Sequence, residues 1–188
     1  DKYADPSEKI VLYVGRLVPE KGVNVLIGAI PGILAAHQNT KFIIVGEGYS
    51  REMLSSLSKS LGVDRKVFFT GYVSDDEVKG LLGLADLLVV PSIYEPFGIV
   101  CLEAMASGTP VVASDTGGLS EIVEDGVTGL KVPSNDSDAI AHAVNRLLSD
   151  GALRGRMSKM ARGRAMGRFS WKAIADLTTR MYDSVLPR

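Results

Sequence analysis

At 188 residues, 46% of them hydrophobic, the chain suits one domain with a full core, yet no apolar run approaches the roughly 20 residues that cross a bilayer. Its 21 Lys and Arg against 22 Asp and Glu leave a net charge of −1, so no field favours nucleic acid or an anionic membrane as partner. One cysteine, Cys101, excludes an internal disulfide and fits a reducing, cytoplasmic setting; within an apolar segment it reads as a small buried residue.

The chain opens Asp1-Lys2-Tyr3-Ala4-Asp5-Pro6, with no signal-peptide pattern, and residues 1–8 read as a linker cut from the middle of a longer protein. Strand and helix patterns then alternate. Residues 9–15 read as a buried strand around Ile10-Val11-Leu12-Tyr13-Val14. Residues 22–37 read as a helix with Val23, Leu26, Ile27, Ile30 and Leu34 on one face, which Pro31 should kink or split. Phe42-Ile43-Ile44-Val45 is the second strand, ended by Gly46-Glu47-Gly48. Residues 50–61 form a helix stopped by Gly62. Val67-Phe68-Phe69-Thr70 is the third strand, ended by Gly71. Ser74 caps the following helix, with Glu77 placed as in a capping box. Leu87-Leu88-Val89-Val90 is the fourth strand, followed by a helix over residues 98–107. Pro110-Val111-Val112-Ala113 is the fifth strand, Gly117-Gly118 opens a short helix through Val123, and residues 128–132 are the sixth strand. Continuous apolar strands separated by helices mean a parallel sheet covered on both faces, so the class is α/β: a Rossmann-like, doubly wound sheet of about six strands. In such sheets ligands sit beyond the carboxyl ends of the strands, where the Gly-rich breaks fall. After Pro133 the pattern changes to three helices over residues 136–149, 152–166 and 170–185. This divides the chain into a linker (1–8), a core (9–133) and C-terminal helices of the same domain (134–188).

Chemistry concentrates around Glu95-Pro96-Phe97-Gly98-Ile99-Val100-Cys101-Leu102-Glu103. A buried strand, an irregular turn, a glycine and a helix start aim free backbone N–H groups and the positive end of a helix dipole at an anion. Glu95 and Glu103 flank that point. Carboxylates would repel a phosphate, so these two should face neutral hydroxyls, and a ligand carrying both phosphates and hydroxyls is a sugar nucleotide. Upstream, Gly15-Arg16-Leu17-Val18-Pro19-Glu20-Lys21-Gly22 puts two cations on a loop between strand and helix. Such a pair can grip a diphosphate, Arg as a fork and Lys as a point charge. The spacing is neither the P-loop nor the dinucleotide fingerprint.

Taken in order, Gly15-Arg16 with Lys21-Gly22, Gly46-Glu47-Gly48, Gly71-Tyr72-Val73, Pro91-Ser92 with Glu95-Pro96-Phe97-Gly98, Leu102-Glu103-Ala104-Met105-Ala106, Gly108-Thr109-Pro110-Val111-Val112-Ala113, Gly117-Gly118 with Glu121, and Asp125-Gly126 with Thr128-Gly129 resemble the GT4 family of retaining glycosyltransferases, the glycogen-synthase and sucrose-synthase type. The resemblance spans nearly the whole chain and implies one half of a GT-B fold, the C-terminal domain that holds the nucleotide-sugar donor. By that resemblance Arg16 and Lys21 hold the donor diphosphate, next to Gly15. Backbone N–H groups around Phe97, Gly98, Ile99 and Val100 cradle a phosphate and the sugar, with Pro96 shaping the turn and Gly98 allowing close approach. Glu95 accepts hydrogen bonds from the donor sugar and Glu103 from the ribose. Tyr72 and Val73 line the base pocket, and Gly46 and Gly48 widen the cleft wall. Glu95, Arg16 and Lys21 are the candidate catalytic residues. The resemblance implies no metal and no resident cofactor, because the cations and the helix N-terminus stabilise the leaving diphosphate. Acceptor site and remaining catalytic groups fall to a missing N-terminal domain, as would any membrane contact. The chain alone is then expected to bind a nucleotide-diphosphate sugar and transfer little or nothing.

Other residues read more plainly. Glu121 reads as a first-turn carboxylate complementing a helix dipole, and Asp75-Asp76 as favoured first-turn acids rather than metal ligands. His37 and His142 lie on helices away from the strand ends. Arg154, Arg156, Lys159, Arg162, Arg164 and Arg168 read as a solvated helix face. Two other functions compete: a stand-alone nucleotide-sugar-binding or regulatory module acting with a second chain, and a glycoside hydrolase using Glu95 and Glu103 as acid and base. The hydrolase leaves Arg16, Lys21 and the helix start unused. The last helix, with Trp171, Ile174, Leu177, Met181 and Tyr182, should expose part of its apolar face if it belongs against another domain.

Overall fold

The computed structural model describes residues 3–185. Its strands are β1 (Lys9–Val14), β2 (Thr40–Val45), β3 (Val67–Gly71), β4 (Leu87–Val90), β5 (Val111–Ser114) and β6 (Leu130–Val132). They form one sheet in the order β3-β2-β1-β4-β5-β6, and every pairing is parallel. The helices are α1 (Val23–Ala36), α2 (Arg51–Ser60), α3 (Asp75–Leu84), α4 (Ile99–Ser107), α5 (Gly117–Ile122), α6 (Ser137–Ser149), α7 (Gly151–Arg168) and α8 (Trp171–Val185). This is the doubly wound α/β sheet that the alternating pattern predicts.

The strands are short and apolar throughout because both of their faces are covered. Val11 and Tyr13 of β1 point to a core shared with α1, α2 and α6, while Leu12 between them points to a second core shared with α3, α4 and α5. Helix α7 crosses between the two: Leu153 and Met157 belong to the first core, Ala161 and Ala165 to the second. The C-terminal segment through α7 is therefore part of the same packed unit as the sheet. Helix α8 has no buried residue, and Trp171, Leu177, Met181 and Tyr182 stand exposed on it.

Helix α1 runs unbroken through Pro31, so the expected split does not occur. Pro31 is exposed, so its ring meets solvent, and buried Ile27, Ile30 and Ile33 hold the residues on both sides of it against the core. Two turns of 3-10 helix, Pro19–Lys21 and Asp64–Lys66, were not legible in the pattern.

The strand order decides where a ligand can sit. From β1 the chain winds outward to β2 and β3, then returns to the other side of β1 as β4. Loops leaving β1 and β4 therefore diverge, and a crevice opens between them at the carboxyl edge. The register Val11↔Leu87 and Leu12↔Leu88 brings Gly15 and Pro91 out at the same level.

Candidate functional site

The two loops at this crevice are bound to each other by backbone. After β1, Gly15 N–H donates to the Val45 carbonyl at 3.0 Å and Leu17 N–H to Glu47 at 2.8 Å, so the loop keeps pairing with the one after β2. That approach requires glycine: a Cβ at Gly46 would stand 2.0 Å from the Gly15 carbonyl oxygen, and one at Gly48 2.2 Å from that of Leu17. Gly46 and Gly48 thus admit the neighbouring loop's backbone, which corrects the expectation that they widen the cleft wall. The chain then turns through Pro19–Lys21 to Gly22, held at φ 65°, where a Cβ would lie 2.0 Å from the Pro91 carbonyl oxygen. The Glu20 carbonyl accepts from Ile93 N–H at 2.9 Å and Tyr94 N–H at 3.1 Å. These contacts carry Lys21 across to the loop after β4.

There Lys21 Nζ donates to Glu95 Oε2 at 2.7 Å, and Ser92 Oγ donates to the same oxygen at 3.2 Å. Glu95 is 9% exposed and Ser92 1%. From the other side α5 fixes the Glu95 backbone: Gly118 N–H donates to the Glu95 carbonyl at 3.0 Å, and a Cβ at Gly117 would stand 2.1 Å from that oxygen. Three residues after Glu95, Gly98, at φ 100°, starts α4 without any side-chain cap. The amides of Gly98, Ile99 and Val100 make no hydrogen bond among the described residues. Cavity, ion pair and unpaired amides coincide in a space of about 340 Å³.

Of the residues predicted from sequence, Gly15, Lys21, Glu95, Phe97, Gly98, Ile99, Val100 and Glu103 line this cavity. Arg16 follows Gly15 in the chain but does not line the cavity; its side chain is exposed and makes no hydrogen bond or ion pair among the described residues, and its carbonyl accepts the Tyr13 hydroxyl at 2.9 Å. Pro96 lines a neighbouring cavity with Tyr94, Gly117 and Glu121. Tyr72 is exposed and Val73 half-buried, both beyond the end of β3. That stretch leads into α3, which packs on α4, and Asp75 at its start acts on Glu103. Burial, with the Asp75 carboxylate beside it, pushes the Glu103 carboxyl above its usual range, and Lys79 partly offsets the rise.

Four lining residues, Tyr13, Val14, Val90 and Ser92, were not among the predicted site residues, and two of them carry hydroxyls. Tyr13 is buried, and burial together with the Glu95 carboxylate raises its hydroxyl well above the usual tyrosine range. A phenol in a central apolar strand was the available signal. Ser92 was read as part of a motif and given no role of its own, although a hydroxyl directly after a fully buried strand needs a partner nearby.

The remaining candidates resolve as follows. Glu121 is the fifth of the six residues of α5, so it cannot complement the dipole from the first turn as expected; the helix begins already at Gly117. Its carbonyl and that of Ile122 accept from Arg164 at 2.8 and 2.9 Å. Arg154 likewise covers the Leu147 and Leu148 carbonyls at the end of α6, so two cations of the basic run cap helices while Arg156, Lys159 and Arg162 are exposed. Ser74 accepts the Glu77 amide, and Asp76 pairs with Lys79 at 3.0 Å. His37, half-buried just past the end of α1 and so not on the helix as expected, meets Ser149 Oγ, and His142, exposed on α6, meets the Asp138 carbonyl. Cys101 is buried, which pushes its thiol up to about 12. Among the described residues no group of three or more His, Cys, Asp or Glu could hold a metal ion, and no helix is long and apolar enough to cross a membrane.

Residues 2–164 match the family model described as Glycosyl transferases group 1. An uncharacterized glycosyltransferase of Methanocaldococcus jannaschii is 47% identical over 176 residues, which cover 94% of this chain and 45% of the relative. Among solved structures, the sucrose-phosphate synthase of Thermosynechococcus elongatus superposes with a TM-score of 0.86 at 37% identity, over 95% of this chain and 45% of that one. The Anabaena protein HepE, solved in complex with UDP-glucose, superposes with a TM-score of 0.85 at 30% identity, over 95% of this chain and 49% of that one. The chain thus spans about half the length of these relatives.

Proposed function

The chain belongs to the group 1 glycosyl transferases, and on that premise we propose that it holds the nucleotide-diphosphate-sugar donor of a retaining, metal-independent sugar transfer whose acceptor site lies on a further domain. The observation that carries this reading is the meeting of Lys21, Glu95 and the unpaired amides at the start of α4 in one cavity at the switch point of the sheet.

Each group has chemistry suited to one part of such a donor. The Lys21 ammonium has three N–H donors suited to phosphate oxygens, and a bound diphosphate competes with Glu95 for the one that now meets it. The amides of Ile99 and Val100, at the positive end of α4, suit a phosphate as well. Transfer breaks the bond between the sugar's anomeric carbon and a diphosphate oxygen, and negative charge grows on the departing diphosphate. Lys21, the α4 amides and the exposed Arg16, next in the chain to Gly15, oppose that charge, so no metal ion is required. Glu95 faces the sugar hydroxyls and Glu103 the ribose hydroxyls. Tyr72 and Val73, beyond β3, border the base.

The length of the relatives and the bare apolar side of α8 support a two-domain enzyme in which α8 lies against the other domain. The chain by itself binds donor and transfers little or nothing. The test is calorimetric titration with UDP-, ADP- and GDP-sugars: one of them binds, and binding weakens in Lys21→Ala. If none binds, the reading fails.

A further inference from the structure

Glu95 can meet a sugar hydroxyl only if its carboxylate stays put, and the structure holds it by one oxygen. Oε2 takes both Lys21 Nζ at 2.7 Å and Ser92 Oγ at 3.2 Å. Among the described residues Oε1 makes no hydrogen bond and is not sealed from solvent; the buried side-chain oxygens without partners among them are those of Ser114 and Asn145. The carboxylate therefore presents one oxygen to the cavity and anchors with the other.

The two anchors are not equivalent. Lys21 is a flexible chain at the cavity wall, and a bound diphosphate competes for its ammonium. Ser92 is 1% exposed, directly follows β4, and has a short side chain with one rotatable bond to its hydroxyl carbon. The Pro91 carbonyl before it lies against Gly22, and the Ser92 carbonyl itself accepts from Ser134 Oγ at 3.5 Å. A ligand that draws Lys21 away leaves the Ser92 bond in place.

We infer that Ser92 is a positioning residue: its hydroxyl keeps the Glu95 carboxylate aimed at the sugar when Lys21 turns to the diphosphate. This rests on the donor-binding reading above and assigns within that site the residue that sets sugar recognition. Ser92 acts through Glu95, so its effect appears in the sugar's share of the binding energy and not in that of the nucleotide.

The experiment is calorimetry of the chain with UDP, ADP and GDP and with the glucose conjugate of whichever nucleotide binds, on the wild type, Ser92→Ala, Glu95→Gln and the double variant. Ser92→Ala removes one oxygen from a packed position and leaves its volume nearly filled, and a melting scan checks that each variant folds. Ser92→Ala should leave nucleoside-diphosphate affinity within twofold and weaken the sugar conjugate by about tenfold, the size of one hydrogen bond to a charged group. In the Glu95→Gln background the same substitution should change conjugate affinity by less than twofold, the signature of two residues working as one unit. Equal loss for nucleotide and conjugate makes Ser92 merely structural and overturns the inference, as does an unchanged conjugate affinity. Additive losses in the double variant also overturn it. A wild type that binds no nucleotide at all overturns the donor-binding reading itself and this inference with it.

Discussion

Replacing Lys21 with alanine tests stability and binding together. Lys21 and Glu95 side chains are 17% and 12% exposed, so their 2.7 Å contact is largely removed from water. Removing the cation leaves a mostly buried carboxylate with Ser92 alone on Oε2. Breaking a fully buried pair costs about 3–5 kcal/mol and losing a hydrogen bond to a charged group about 1.5–3, and because the cavity admits water to Oε1 the lower scale applies, about 2 kcal/mol. For a chain of this size that lowers the melting temperature by about 4–8 °C. Ligand affinity carries a separate loss. A charged hydrogen bond to the diphosphate is worth about 1.5–3 kcal/mol, or roughly 10- to 150-fold in dissociation constant. Scanning calorimetry reads the first effect and titration of the nucleoside diphosphate the second. Lys21→Ala combined with Glu95→Ala should melt closer to the wild type than the two single losses added together, because the stranded carboxylate is gone. An unchanged melting point in Lys21→Ala, or strictly additive losses, would refute the pairing; an unchanged nucleotide affinity would remove Lys21 from the ligand site.

Three further predictions concern other groups. Glu103 has its carboxyl raised by burial and Asp75, so ionisation works against the fold: the stability it allows is complete at acid pH and declines as pH rises through its folded pKa. Glu103→Gln should therefore melt higher than the wild type at pH 7, with the gap closing below the ordinary glutamate value of about 4.3, and a gap that widens on acidification contradicts this. It should also weaken ribonucleotides more than their 2′-deoxy or 3′-deoxy counterparts, which equal losses would disprove. Cys101, buried with its thiol pushed up to about 12, should resist a thiol reagent at pH 8 until the chain is unfolded; stoichiometric labelling of the native chain would show the α4 packing to be wrong. Gly117→Ala places a Cβ 2.1 Å from the Glu95 carbonyl oxygen at a φ of 47°, so it should destabilise by more than about 1 kcal/mol and displace Glu95, and a melting point equal to the wild type's would mean that α5 does not hold that segment.

The fold was legible because its signals are local. Leu87-Leu88-Val89-Val90 and Phe42-Ile43-Ile44-Val45 announce buried parallel strands by composition alone, and Ser74 marks its helix start by a hydrogen bond three residues long. The strand order lies beyond such signals, because which side of β1 the fourth strand joins is settled by packing. The same division runs through the site. Gly98 announced itself by a strand, a turn and a helix start, and the cations by the family resemblance, whereas the Lys21–Glu95 bond joins residues far apart in sequence, and no periodicity links two loops. Glu121 was misplaced although Gly117-Gly118 was read as opening the helix, because its fifth residue already lies past the first turn. Gly46 and Gly48 were given to the ligand because sequence shows that a side chain is missing but not what fills the space; here the Gly15 and Leu17 carbonyls fill it. Pro31 failed to break α1 because an exposed ring on a helix with a strongly apolar inner face costs less than burying that face gains.

The central claim is that this cavity takes a nucleotide-diphosphate sugar through cations and helix amides with no metal ion. Titrating the chain with UDP-, ADP- and GDP-sugars in the presence of EDTA tests it most directly. The account predicts that one of these donors binds with the chelator present and that adding magnesium leaves its affinity unchanged. Binding that appears only when a divalent cation is supplied, or no binding by any of them, would contradict it.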